Sequence, residues 1–194
     1  MPGDVRLRAG ARVTEDLVVE RLPDDHSWWR IADPTWADPL DPGYAQRRGG
    51  RWNPPDSYPT LYINEDKVTA RLNLRAFIAC WPYEPEELRE DTGPVLVECT
   101  LPRHQLVCDM HTPEGVRAAG MPATYPLDSD GAVIGHDRRQ LIGRRAKDQG
   151  LRGVRAHSAQ SRDGAGRELA WFPASVRSVA RRIGTSTFSV WFWG

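Results

Sequence analysis

Apolar positions along the chain fall into short runs separated by long polar stretches, and their spacing predicts most of the elements. Residues 1–25 are charged and weakly patterned, which predicts an N-terminal arm ahead of a domain spanning 26–194. WWRIA (28–32) is aromatic and β-branched and reads as a first strand. DPTWADPLDPGYAQRR (33–48) is rich in Pro and Asp and lacks periodicity, so it predicts a long irregular loop of the kind that carries function. PTLYI (59–63) reads as a second strand. From Glu65 to Cys80, and on to Trp81, the apolar residues Ala70, Leu74, Phe77, Ile78 and Trp81 recur at the helical period. At 100° per residue Asn73 lies at the margin of that face, roughly 85° from its centre, where a polar side chain can look into a pocket beside the core.

Further on, PYEPEELRED predicts a short acidic helix or turn, and PVLVECTL (94–101) and LVCDM (106–110) predict strands. TPEGVRAAG opens with a Thr cap and closes with Gly, the signature of one short helix. His136 to about Gln149 reads as a helix with Leu141, Ile142 and Ala146 inward and several Arg and Lys outward. GVRAHSA, RELAWFP and SVRSVARRI read as closing strands. Without a clean βαβ alternation or an internal repeat, the pattern predicts an α+β fold: a single compact domain with a mixed, mainly antiparallel sheet.

Composition narrows the function classes. Lys plus Arg and Asp plus Glu both total 26, so the formal net charge is zero. That argues against a protein whose task is gripping nucleic acid, and it removes a brake on self-association, so a homo-oligomer is compatible with the sequence. The 3 Cys are odd in number and far apart, with no CxxC or Cys/His ligand spacing, so neither a disulfide framework nor a metal site is expected. No apolar run suits a signal core or a membrane span, so a cytoplasmic protein is expected. The 8 Trp predict core or pocket walls, each with a partner for its N–H.

The chemistry concentrates in GGRWNPP (49–55). Gly49 and Gly50 permit positive φ and close backbone approach, and Pro54 and Pro55 stiffen the chain. Arg51 is then held in a shaped loop beside Arg47 and Arg48, with Trp52 as a brace. A guanidinium fork meets phosphate oxygens bidentately, which suits Arg51 and Arg30 to a diphosphate. Backbone N–H groups at Gly49 and Gly50 can add donors.

The order of a strand carrying WRI, an irregular loop, GGRWNPP, LYI and a helix resembles the RES-domain family, with DRRQLIG and GVRAHSA as further similar segments over roughly residues 26–175. The resemblance implies a fold related to ADP-ribosyltransferases. It also implies an intracellular toxin that consumes NAD+ by cleaving its nicotinamide–ribose bond, with water or phosphate as acceptor, or that transfers ADP-ribose. An antitoxin combining a DNA-binding helical domain with a pocket-blocking segment is the implied partner. The family's first Arg falls on Arg30, the loop Arg on Arg51 and the pocket Tyr on Tyr62, suited to stack on nicotinamide while its hydroxyl orients the ribose. The family's Glu falls on Asn73 and its Ser on Asp137, both departures from the pattern, while Ser158 is a hydroxyl in a similar segment. Asp137 is therefore the first candidate for the missing charge, with Glu65 and Asp66 behind it, and His157 reads as an ordinary polar residue at a strand end. Because Asn73 brings a hydrogen bond without charge, a module that binds NAD+ or ADP-ribose without turning it over is the alternative, and a purely structural partner-binding protein is the third.

Overall fold

The computed structural model describes residues 17–82, 84–161 and 164–194. Its strands are β1 (Val19–Arg21), β2 (Trp28–Ala32), β3 (Leu61–Asn64), β4 (Val95–Thr100), β5 (Leu106–Met110), β6 (Gly153–His157), β7 (Arg167–Trp171) and β8 (Arg181–Ser186). They form one sheet in the order β1-β5-β6-β7-β3-β2-β4-β8. Only the β5–β6 pairing is parallel among the described strands, so the sheet is mixed and mainly antiparallel, and the class is α+β as expected.

Alternation along each strand sorts side chains between two faces. Tyr62, Asn64, Glu168 and Ala170 share one face, because Tyr62 is in register with Ala170 and Asn64 with Glu168. This face carries the helices α2 (Lys67–Ile78), α3 (Pro113–Ala118), α4 (His136–Asp148) and α5 (Phe188–Phe192). Val116, Ile142 and Ala146 pack there against Ala156 and Ala170, and Leu74 and Phe188 against Leu96. On the opposite face Trp28, Ala32, Leu61, Ile63, Val97, Leu169 and Trp171 form a second core with Leu40 from the 33–48 segment.

α2 starts where it does because Asp66 caps it, accepting from the Thr69 N–H at 2.7 Å. Ala70, Leu74 and Ile78 are buried as the period predicts, whereas Phe77 is exposed. In α4 the inward set is Arg139, Ile142, Gly143 and Ala146, and Leu141 is 60% exposed, which corrects the expectation that Leu141 faces inward. The 33–48 segment is not wholly irregular: α1 (Gly43–Arg48) closes it. The strand expected from SVRSVARRI begins only at Arg181 and runs on to Ser186. Of the expected arm, residues 1–16 lie outside the described residues, while β1 pairs with β5 and buries Leu17 and Leu22 on either side. Two of the buried indoles find partners as expected: Trp171 Nε1 donates to Gln105 at 2.9 Å and Trp191 Nε1 to the Pro94 carbonyl at 2.9 Å.

Candidate functional site

The 49–55 loop is fixed by its neighbours. Gly49 has a φ of 72°, and a Cβ at Gly50 would meet the Tyr62 hydroxyl at 2.5 Å. That hydroxyl accepts from the Trp52 N–H at 2.8 Å and donates to Asn53 Oδ1 at 2.8 Å. Tyr58 donates to the Trp52 carbonyl at 2.7 Å, and Gln140 of α4 donates to the Gly50 carbonyl at 2.9 Å. α4 can rest here because residue 143 has no side chain: a Cβ would stand 1.8 Å from the Trp52 carbonyl oxygen. Trp52 itself is 1% exposed and packs into the core beneath α4. It anchors the loop and offers no surface to a ligand.

Held this way, Arg51 reaches over β7 and pairs with Glu168, Nη1 to Oε2 at 2.8 Å. The other Glu168 oxygen accepts from Asn73 Nδ2 at 3.1 Å. Asn73 sits at the centre of a polar network. Its Nδ2 also donates to Asn64 Oδ1 at 2.7 Å, and its Oδ1 accepts from Ser158 Oγ at 2.7 Å. Asn64 in turn donates to the Trp29 carbonyl at 3.1 Å. The margin position of Asn73 on α2 thus does face a polar site, and Ser158, only 2% exposed, stands behind it.

A second guanidinium closes the site from α4. Arg139 is 5% exposed, and its Nε has no hydrogen-bond partner among the described residues. Burial, and after it the charge of Arg51, hold its pKa below the ordinary guanidinium value, while Tyr125, Glu168 and Tyr62 act in the opposite sense. Burial pushes the Tyr62 and Tyr125 phenols up to about 12 each, so both remain neutral. Burial, then Arg139 and Arg51, lower the His136 pKa. Beside Tyr125 opens a cavity of about 270 Å³ lined by His111, Val116, Met121, Tyr125 and His157 among others. Ligand pockets typically measure roughly 300–1,000 Å³, so this cavity lies just below the usual size.

The structure brings Gly50, Arg51, Tyr62, Asn73 and Ser158 together, but the Gly49 and Gly50 N–H groups donate to the Ala45 and Asn53 carbonyls at 2.8 Å each, which removes them as expected donors to a ligand; it separates others. Arg30 is in register with Val97, on the face opposite Tyr62, and is 7% exposed. It donates to the Tyr62 carbonyl at 3.3 Å and lies over the Trp36 ring, beside Asp38 and Asp41. Strand alternation therefore removes Arg30 from the cleft. Asp137 is exposed in the first turn of α4 and has no hydrogen bond or ion pair to the cluster among the described residues, so it does not supply the missing charge. Glu65 is occupied by Arg155 at 2.9 and 2.5 Å, and Asp66 by its cap. The Tyr62 hydroxyl proton is committed to Asn53 Oδ1, so this group cannot donate to a ribose. Glu20, Asp109 and His111 could share a cation, but Glu20 is paired with Arg155 at 2.7 Å, and His111 Nδ1 accepts from Arg167 at 3.1 Å.

Sequence reasoning missed Arg139 and Glu168. The first was readable from the helical period, since 139, 142, 143 and 146 share a face. The second had a weaker signal, a carboxylate alternating with Ala170 in a strand whose remaining residues after Arg167 are apolar.

A mixed sheet with its longer helices on one face, and an Arg51–Glu168 pair set among Asn73, Ser158 and the buried Arg139, defines an α+β domain built around a polar site. The chain belongs to the RES domain family, whose match covers residues 27–192. The resemblance read from GGRWNPP is thereby borne out. The fold is also similar to that of a chain in the crystal structure of the M. tuberculosis MbcT–MbcA toxin–antitoxin complex, with a TM-score of 0.65 and 19% identity over 87% of this chain and 90% of that one. Comparison with curated proteins gave no match.

Proposed function

We propose that this protein is a toxin that consumes NAD+, cleaving the nicotinamide–ribose bond, and that a cognate antitoxin controls it. The observation that carries this reading is the convergence of Arg51 and the buried Arg139, whose Nε has no partner among the described residues, beside the Glu168–Asn73–Ser158 network. Paired guanidiniums suit a diphosphate, and a buried N–H without a partner is costly until something accepts from it. Family membership supports the reading, and so does the likeness to a chain of a toxin–antitoxin complex.

In the reaction, an oxygen of water or inorganic phosphate bonds to the ribose C1′ as the C1′–N bond breaks. The bonding pair leaves with the nicotinamide ring, which becomes neutral, and the acceptor's proton passes to solvent. Positive charge builds on the ribose in between. Arg51 and Arg139 hold the diphosphate, and the loop bonded to Tyr62 keeps Arg51 aimed. The antitoxin is expected to cover this cleft. The described residues include no helix long and apolar enough to cross a membrane, and a cytoplasmic site of action fits an NAD+ substrate.

The test is to incubate purified protein with NAD+, with and without phosphate, and to follow released nicotinamide. Release in either condition supports the reading. Tight NAD+ binding without release would favour the alternative, a binding module, which Asn73 in the place of the family's Glu keeps in view. Neither binding nor release would leave a structural partner.

A further inference from the structure

We propose that Glu168, on β7, is the catalytic carboxylate of this site, and that Asn73 serves to position it. The inference rests on the NAD+-cleaving reading above.

Glu168 is the carboxylate at the centre of the cluster. Its side chain is 15% exposed, on a strand flanked by β6 and β3, on the same face as Tyr62. Burying an ion pair in a sheet interior gives little or no net stability compared with apolar packing, because desolvation offsets the attraction. A structural purpose is therefore a weak account of Glu168, whereas charge developing on a ribose needs an anion held in place beforehand. The hydrogen bonds agree. One Glu168 oxygen is held by Arg51 and the other by the Asn73 amide, so the carboxylate is fixed at both ends. Each carboxylate oxygen has a second lone pair free for a ribose hydroxyl.

Asn73 is suited to its place for a complementary reason. Both acceptors facing its Nδ2, Asn64 Oδ1 and Glu168 Oε1, require a donor, and Ser158 supplies the proton to its Oδ1. A carboxylate at 73 would donate to neither and would stand about 3 Å from Glu168, where like charges cannot both ionise freely. The site is thus organised for an acid at 168 and an amide at 73, and the departure from the family pattern at 73 is answered on the adjacent strand.

The experiment measures nicotinamide release by the wild-type chain, Glu168→Gln, Asn73→Glu and the double variant Asn73→Glu/Glu168→Gln, with a melting curve for each. We expect kcat for Glu168→Gln to fall about 100- to 1,000-fold, with KM changed only a few-fold. Asn73→Glu is expected to lose activity as well. The double variant, which exchanges acid and amide, should recover at least about tenfold over Glu168→Gln, because it restores one charge among the same donors. A wild-type kcat retained in Glu168→Gln would overturn the assignment while leaving the NAD+ reading intact. A rise in KM and a lower melting temperature with no recovery in the double variant would also overturn it, reducing Glu168 to a tether for Arg51. A wild-type chain that releases no nicotinamide would sink the functional reading, and the assignment with it.

Discussion

Arg139 shows how a single side chain can work against stability in favour of binding. Its Nε is buried without a partner among the described residues, and a group left in that state costs about 1–3 kcal/mol. Arg139→Leu is therefore expected to raise the melting temperature, by roughly 2–4 °C for each kcal/mol recovered in a chain of this length, while KM for NAD+ rises about tenfold or more. Differential scanning calorimetry and steady-state kinetics check the two halves; a lower melting temperature would mean Arg139 is held by contacts of real structural value. Tyr62 works in the other direction. Its hydroxyl satisfies the Trp52 N–H and Asn53 Oδ1, so Tyr62→Phe should cost about 1–3 kcal/mol in denaturant unfolding and weaken NAD+ binding by freeing Arg51. A variant with wild-type stability would show that the loop keeps its shape without that bond.

Between elements, the decisive contact is the bare approach of α4 to the 49–55 loop. A methyl at position 143 would overlap the Trp52 carbonyl, and backbone cannot yield as a flexible side chain does. Gly143→Ala is expected to destabilise by about 1–3 kcal/mol or more, even though Ala favours the helix itself, and to lower activity by moving Arg139 and Gln140 away from the loop. Urea denaturation and nicotinamide release test this together. Asp66→Ala, which only removes the α2 cap, should cost about 0.5–2 kcal/mol and leave KM unchanged. The elements themselves were largely legible. β2 and β5 match the runs read at 28–32 and 106–110, and α4 matches to within a residue, because alternation and helical period report burial directly. α1 and α5 were not read: α1 follows a Pro- and Asp-rich segment and α5 is a five-residue aromatic turn, too short for a period to declare itself.

For the molecule as a whole, acid is the weak side. Burial, then Arg167 and His111, hold the His157 pKa below its ordinary 6.5, and His136 is lowered by burial, Arg139 and Arg51. The unfolded chain therefore takes up more protons as pH falls through about 6.5, and stability declines on acidification. Asp109 adds a second loss further down. Burial raises its pKa, but hydrogen bonds from Thr112 and His111 outweigh that and depress it, so its stabilisation is present above 3.8 and is lost as pH falls through the folded value. The denaturation midpoint is expected to be lower at pH 5 than at pH 7.5, and His157→Gln should flatten that interval. A flat midpoint across it in the wild type would show that these histidines titrate alike in both states. Removing residues 1–25 tests the edge of the sheet: β1 and the buried Leu17 and Leu22 go with them, so the shortened chain should melt lower instead of losing a dispensable arm.

The α+β class, the position of most strands, the family and the loop that presents Arg51 followed from the order of residues, because local chain geometry and burial leave a periodic trace. Which charges meet followed only from the fold. Arg30 and Tyr62 both sit on strands, yet the register turns them to opposite faces, and Glu168, far from Asn73 in sequence, arrives beside it because β7 pairs with β3. Strand order is set by contacts between distant segments, and a linear pattern holds no record of those.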